Sequence, residues 1–379
     1  MKVKTLRLFL LVTLLTVVCQ LNVMGQNAPQ LGFKRFDQET RSATMAYWTP
    51  ERLQNAIPRD LLQAGQNAVP GSLGPPPTVG EPRVSVPGQL PAFENSARAA
   101  KTAGNNEPAG DVGIQGYAYP YPFTLYSVLS LLYDETIAPV YPYTAIGKVF
   151  FTIGTSNFVC SASTSRPHLV LTARHCVFDT PTQTFATNVM FFPGWHSGAN
   201  PTLGGGWPAR NLATWVGGTP GGICGGGGCR FDIGYIQTFD DDGVGCGGSE
   251  GGNPIEFYTG FLGFMFGGDY SSRHWDELGY PQAPPFDGTI LIESESSTGA
   301  EDQFDNTDTV EVGSSLTGGA SGGPWIISFV PGAAGAINFA NGVNSFKFFA
   351  RPLAINSPKF LDDNYNALRI FAETMLPCP

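Results

Sequence analysis

All four histidines of this chain, His168, His175, His196 and His274, precede the stretch Gly318-Gly319-Ala320-Ser321-Gly322-Gly323-Pro324-Trp325. A serine flanked by glycines can present its hydroxyl while bare backbone N–H groups close on an oxyanion. The same pattern also occurs as a plain glycine-rich turn. If Ser321 is a nucleophile it needs a base to take its proton. That base can come only from earlier in the chain. A strand-to-helix elbow on a parallel sheet, which places its acid and histidine after the serine, is therefore excluded by chain order.

Two upstream segments supply the missing groups. His175 closes Leu171-Thr172-Ala173-Arg174-His175-Cys176, at the end of the apolar run His168 to Thr172. Asp232 sits in Arg230-Phe231-Asp232-Ile233-Gly234-Tyr235-Ile236, an apolar stretch where a carboxylate needs a partner. Alone, His175 reads as a core histidine and Asp232 as a turn cap. Together, in the order His175, Asp232, Ser321, they read as a proton relay.

Composition points to all-β architecture. The chain has 48 glycines, 31 prolines and 14% charged residues, a loop-rich balance. Short apolar runs broken by Gly, Pro, Asn and Asp predict strands at 149–154, 168–172, 188–192, 232–238, 260–266, 288–292, 324–329 and 342–349. An acidic, glycine-rich connection follows at 240–248, and 365–375 has helical spacing. The net charge of −10 argues against a nucleic-acid partner and against a polybasic membrane surface.

From Tyr141 to the C-terminus the chain resembles the secreted trypsin-like serine peptidases of bacteria and fungi that are related to glutamyl endopeptidases, within the chymotrypsin-like superfamily. The matching stretches are 141–151, Val159-Cys160-Ser161, 171–177, Phe192-Pro193-Gly194-Trp195, Gly279-Tyr280-Pro281, 319–325 and Asn341-Gly342-Val343-Asn344-Ser345. The resemblance implies a chymotrypsin-like double six-stranded β-barrel with a short C-terminal helix. The barrels would span 141–240 and 241–379, with the cleft between them. It implies a serine endopeptidase acting through an acyl-enzyme on protein or peptide substrates. Ser321 would be nucleophile, His175 base and Asp232 the orienting carboxylate, with the N–H groups of Gly319 and Ser321 as oxyanion hole. Ser315 and Leu316 would form the pocket base, and Asn344, Ser345, Phe346 and Lys347 the opposite wall, along which substrate backbone pairs. No cofactor, no metal and a monomer are expected. Alternatives are a catalytically silent binding protein on the same fold and an esterase using the same triad.

The chain departs from that family in several places. Arg174 replaces a small residue before the histidine. Thr317 stands where many relatives carry a half-cystine. Ala320 replaces the aspartate that receives a freed N-terminal ammonium in the animal enzymes. No aspartate occupies the pocket position that gives Arg/Lys preference, and Asn344 stands where glutamyl relatives have histidine. Lys347 reads either as an attractor of acidic side chains or as a solvated edge-strand lysine.

Residues 1–25 read as a secretory signal: Lys2, Lys4 and Arg7 precede an apolar core, Leu8 to Val18, too short to span a bilayer. The expected location is extracellular, or periplasmic if the source has an outer membrane. Residues 26–115 read as a largely unpacked pro-segment or linker whose end could extend to 140. Thr49 and Pro50 there suit a helix start, and related pro-segments carry a similar Trp-Thr-Pro-Glu-Arg stretch. The chain has seven cysteines, and loss of Cys19 with the signal leaves Cys160, Cys176, Cys224, Cys229, Cys246 and Cys378. An even count in an oxidising compartment suggests disulfides rather than zinc. The pairs expected are Cys160–Cys176, Cys224–Cys229 and Cys246–Cys378.

Overall fold

The structure is a computed structural model that describes residues 29–59, 62–64, 83–92, 121–127, 140–199, 203–217, 228–243, 252–301, 308–333, 335, 337–348 and 351–374. The expectations for the signal at 1–25, for Cys224, Cys246 and Cys378, and for most of 64–110 lie outside these residues.

The N-terminal part supplies β1 (Gln30–Arg35), α1 (Gln38–Tyr47), α2 (Pro50–Gln54), β2 (Ile57–Pro58), β3 (Leu62–Ala64), β4 (Val84–Val86) and β5 (Phe123–Ser127). The first half of the body follows as β6 (Ile146–Ile153), β7 (Ser156–Arg166), β8 (Leu169–Thr172), the hairpin β9 (Phe178–Asp179) and β10 (Thr184–Phe185), β11 (Thr187–Pro193), β12 (Trp207–Val216) and β13 (Gly234–Thr238). The order β12-β11-β6-β7-β8-β13 closes on itself, because β13 also pairs with β12. This is a six-stranded barrel.

Alternation along its strands explains how it is filled and where it docks. Val149, Phe151, Val170, Val189, Phe191 and Ile236 pack inside the barrel. Their neighbours Phe150, Leu169, Leu171, Met190 and Tyr235 face outward and join Leu262, Leu278, Tyr280, Val343 and Tyr365 of the second half in a shared core. Each strand thus serves two apolar layers, and a one-residue slip in register would exchange them.

The second half comprises α3 (Ile255–Thr259), β14 (Gly263–Phe266), β15 (His274–Gly279), β16 (Ile292–Glu301), β17 (Thr309–Gly313), β18 (Pro324–Ile327), β19 (Phe339–Val343), β20 (Phe346–Phe348), β21 (Ala354–Pro358) and α4 (Ala367–Thr374). Its strands run β20-β21-β17-β16-β15-β18-β19-β14 around one core that includes Trp275, Val312, Leu316, Trp325 and Ile355. The closed barrel, the second sheet around its own core and the short C-terminal helix make the all-β architecture expected of a chymotrypsin-like fold.

The structure corrects the sequence reading at three places. The strand expected at 288–292 begins only at Ile292, because Gly288 has φ +73° and Asp287 caps a turn through Thr289. The strand expected at 342–349 is split between β19 and β20: Asn344 exchanges backbone hydrogen bonds with Gly322 and Gly323, which breaks the run. The described parts of 26–115 are docked rather than largely unpacked. β1 lies antiparallel on β12, β2 parallel on β7, β3 parallel on β20 and β4 antiparallel on β14. Apolar burial drives this docking: Trp48 is buried against Phe150 and donates its indole N–H to the Asn188 carbonyl at 2.6 Å. β5, in the region left open between pro-segment and body, adds an edge strand to β16. As expected, the Thr49 side chain caps α2 and Pro50 opens it.

Candidate active site

β8 ends at Thr172, and the next turn, Arg174–Cys176, presents His175. That turn is held to β7 by the Cys160–Cys176 disulfide. Cys160, His175 and Cys176 lie close enough to suggest a metal cluster, but the two sulfurs are bonded to each other. Cys229 is also disulfide-bonded. Arg174 does not crowd the imidazole: its guanidinium lies over the Phe178 ring and donates to the Gly217 carbonyl.

Asp232 follows a short 3-10 turn, Cys229–Phe231, just before β13. It is almost fully buried and satisfied by a set of donors. The imidazole Nδ1 of His175 lies 2.9 Å from Oδ2 and 3.1 Å from Oδ1. The His175 backbone N–H donates to Oδ1 at 3.0 Å, and the Ser345 hydroxyl donates to Oδ2 at 2.5 Å. Burial opposes the charge on Asp232, yet the His175 ring and these donors together hold its pKa below the ordinary carboxylate value.

Ser321 lies in the tight turn before β18. Gly319 has φ +95° and Gly322 φ +79°. A Cβ on Gly319 would meet the Tyr280 carbonyl at 2.8 Å, and one on Gly322 would meet Thr172 Oγ1 at 2.1 Å. Glycine is required at both positions for conformation and for space. Ser161 of β7 ties this turn to the first barrel: its N–H donates to the Ser321 carbonyl at 2.7 Å and its hydroxyl to the Gly319 carbonyl at 2.9 Å. Ser161 was visible in the sequence only as part of a matching stretch, since a strand serine carries no local signal of such a role.

The backbone N–H of Gly319 donates to the carbonyl of Arg59 at 3.0 Å, and Ser321 Oγ donates to the same oxygen at 3.4 Å. The other ring nitrogen of His175, Nε2, is buried and makes no hydrogen bond among the described residues. The serine hydroxyl and the N–H expected to face an oxyanion thus meet on one carbonyl from the N-terminal segment. Asp179, the other acidic residue of this neighbourhood, pairs with Arg59 at 3.1 Å instead of with His175.

The expected pocket residues divide. Asn344 is fully buried with its amide engaged: Nδ2 donates to the Leu278 and Ala320 carbonyls at 3.0 Å, and Oδ1 accepts the Trp325 indole N–H at 2.8 Å. It clamps the serine turn, and both of its amide hydrogens are spent within the protein. Ser345 likewise spends its hydroxyl on Asp232. Leu316 belongs to the second core, Ser315 is half-buried beside it, and Phe346 packs edge-on against Phe348. Lys347 is not solvated. Its ammonium is buried on the Ser314 and Pro352 carbonyls at 3.2 and 2.9 Å, and burial lowers its pKa to about 8. Thr317, in place of a half-cystine, hydrogen-bonds the Ala283 carbonyl at 2.7 Å. Ala320 packs wholly within the second core.

No protein-family model matches the chain, and no curated protein sequence does. Solved structures do resemble it. Protease Anisep from Arthrobacter nicotinovorans is 27% identical over 60% of this chain and 96% of its own, with a TM-score of 0.48. The thermostable serine protease AL20 from an extremophilic microorganism is 25% identical over 60% of this chain and 98% of its own, at 0.48. A Glu endopeptidase in complex with MPD is 18% identical over 66% of this chain and 96% of its own, at 0.47. The chain is similar to these proteases over nearly the whole length of each of them.

Proposed function

We propose that this chain is a secreted serine endopeptidase made as a precursor. Ser321 attacks the substrate carbonyl, His175 takes the hydroxyl proton through Nε2 and returns it to the leaving amine, and Asp232 holds the imidazole in the tautomer with Nδ1 protonated. The N–H groups of Gly319 and Ser321 stabilise the oxyanion. The acyl-enzyme is then hydrolysed by water. Protein or peptide chains are the substrates.

One observation carries the reading. A fully buried carboxylate accepts the His175 ring, the His175 N–H and the Ser345 hydroxyl together, beside a serine on a turn that only glycines can form. A purely structural aspartate would not need a histidine whose far nitrogen has no hydrogen-bond partner among the described residues. Reaction of the activated protein with a serine-directed organophosphate tests the proposal. The expected result is one adduct on Ser321, lost in His175→Ala. Absence of any adduct would favour a silent binding protein on this scaffold.

A further inference from the structure

The N-terminal segment does more than cover the cleft. It pairs with β7 of the first half before Arg59 and with β20 of the second half after it. Ile57 and Pro58 pair in parallel with Phe158 and Val159 of β7. Arg59 donates its N–H to the Val159 carbonyl at 2.9 Å and places its own carbonyl on Gly319 N–H and Ser321 Oγ. Leu62 to Ala64 then pair in parallel with Phe346 to Phe348 of β20. Gln282, beside the serine turn, grips the Ala56 carbonyl through Nε2 at 2.8 Å.

The direction of this path matters. On the expected wall from Asn344 to Lys347, which runs into β20, the acyl part of a substrate would pair, and its leaving amine would lie on the opposite side of Ser321, toward His175. The segment runs the other way: residues before Arg59 lie on β7, and residues after it lie on β20. The chain leaving the Arg59 carbonyl leads toward β20, away from the side on which His175 protonates a leaving amine. The carbonyl can occupy the oxyanion site without completing acyl transfer.

We infer that residues 29–64 are a reverse-oriented inhibitor of this same active site, held in place by the Arg59–Asp179 ion pair and by docking on the first barrel, and able to act on the mature enzyme in trans. This rests on the serine-peptidase reading. Arg59 also stacks on the Phe158 ring, and Asp179 is braced by the N–H and hydroxyl of Thr182. Residues 26–115 contain no cysteine, so only non-covalent contacts retain the segment once the chain is cut. Those contacts are extensive: the full length of β1 lies on β12, and Trp48 is sunk between barrel strands. Cutting the connection is therefore not enough for activation, and the segment must then dissociate or be digested.

The test uses the full chain carrying an inserted recognition site for an exogenous protease between residues 93 and 120. Ser321 labelling by a fluorescent phosphonate is followed before cutting, after cutting, and after the segment has been washed away. The washed form should label roughly tenfold faster or more than the other two, and a synthetic peptide spanning 29–66 should restore the slow rate. That peptide should be recovered uncut after Arg59. Arg59→Asp should speed labelling of the intact chain, and the charge-swapped pair Arg59→Asp with Asp179→Arg should slow it again. Equal labelling of intact and washed forms, or steady cleavage of the peptide after Arg59, would overturn the inference. If neither form labels, the peptidase reading fails. Docking is then judged by titrating the washed body with the peptide and with its Arg59→Asp variant. Equal or absent binding of the two would overturn the docking as well.

Discussion

The backbone N–H of Gly319 donates to the carbonyl of Arg59 at 3.0 Å, at the position proposed for the oxyanion. That N–H can point there only because Gly319 adopts φ +95° and carries no side chain against Tyr280. Gly319→Ala should destabilise the serine turn and, in the protein that still folds, cut kcat by about 10²–10³, as removal of one oxyanion donor does elsewhere. Steady-state kinetics on the activated enzyme checks this. A variant within about threefold of the parent would remove Gly319 from the oxyanion site.

The Asp232 carboxylate predicts a graded series. Asp232→Asn should lower kcat about 10⁴-fold by favouring the wrong imidazole tautomer. Ser345→Ala removes one hydroxyl donor and keeps the ring contact, so its loss should be smaller, about tenfold. Ser345→Ala should also begin to lose stability at a higher pH on acidification than the parent, since a less stabilised aspartate accepts a proton more readily. Equal losses in the two variants would show that Ser345 acts on more than the carboxylate.

Ser321, His175 and Asp232 stood out in the sequence as candidates because each has a local signature: a glycine-bracketed serine, a histidine at a strand end, an aspartate in an apolar run. The six-strand barrel was legible for the same reason, through period-two alternation in segments such as 149–151. The roles of Asn344 and Ser345 were hidden, because which face of a split strand meets Asp232 or the serine turn is decided only by the packing of two halves. The docking of residues 29–64 was hidden more deeply. Only the helix start at Thr49 and Pro50 shows locally; the docking itself comes from pairing with strands far away in the chain, antiparallel for β1 and parallel for β2 and β3, which leaves no local trace.

A buried acidic cluster sets a pH dependence of stability. Asp276 is pushed up to about 9 by burial first and by neighbouring Glu293 and Glu295 second, and burial also raises Glu293 and Glu277. Tyr143 donates to Glu293 at 3.0 Å. Folded-state values above the unfolded ones mean that this contribution is complete below the ordinary carboxylate range. It is lost as pH rises toward 9. Asp276→Asn should therefore raise the thermal midpoint at pH 9 by roughly 5 °C or more and change it little at pH 4. Parallel midpoint-versus-pH curves for parent and variant would contradict this.

The buried Lys347 ammonium, held on the Ser314 and Pro352 carbonyls in the expected pocket wall, carries a positive charge below pH about 8. Acidic side chains should be preferred at the cleaved bond at pH 6.5, and the preference should fade above pH 8 as the lysine loses its proton. Lys347→Met should remove it at every pH. A peptide-library cleavage profile at two pH values reads this directly. A preference unchanged by pH and by the substitution would place the determinant elsewhere.

Mass mapping of the activated protein after treatment with a serine-directed phosphonate tests the triad most directly. A single adduct on Ser321, absent in Ser321→Ala and His175→Ala and slowed about 10³-fold or more in Asp232→Asn, is the predicted result. No adduct, or one on another residue with Ser321 unmodified, would contradict the assignment of this protein as a serine endopeptidase.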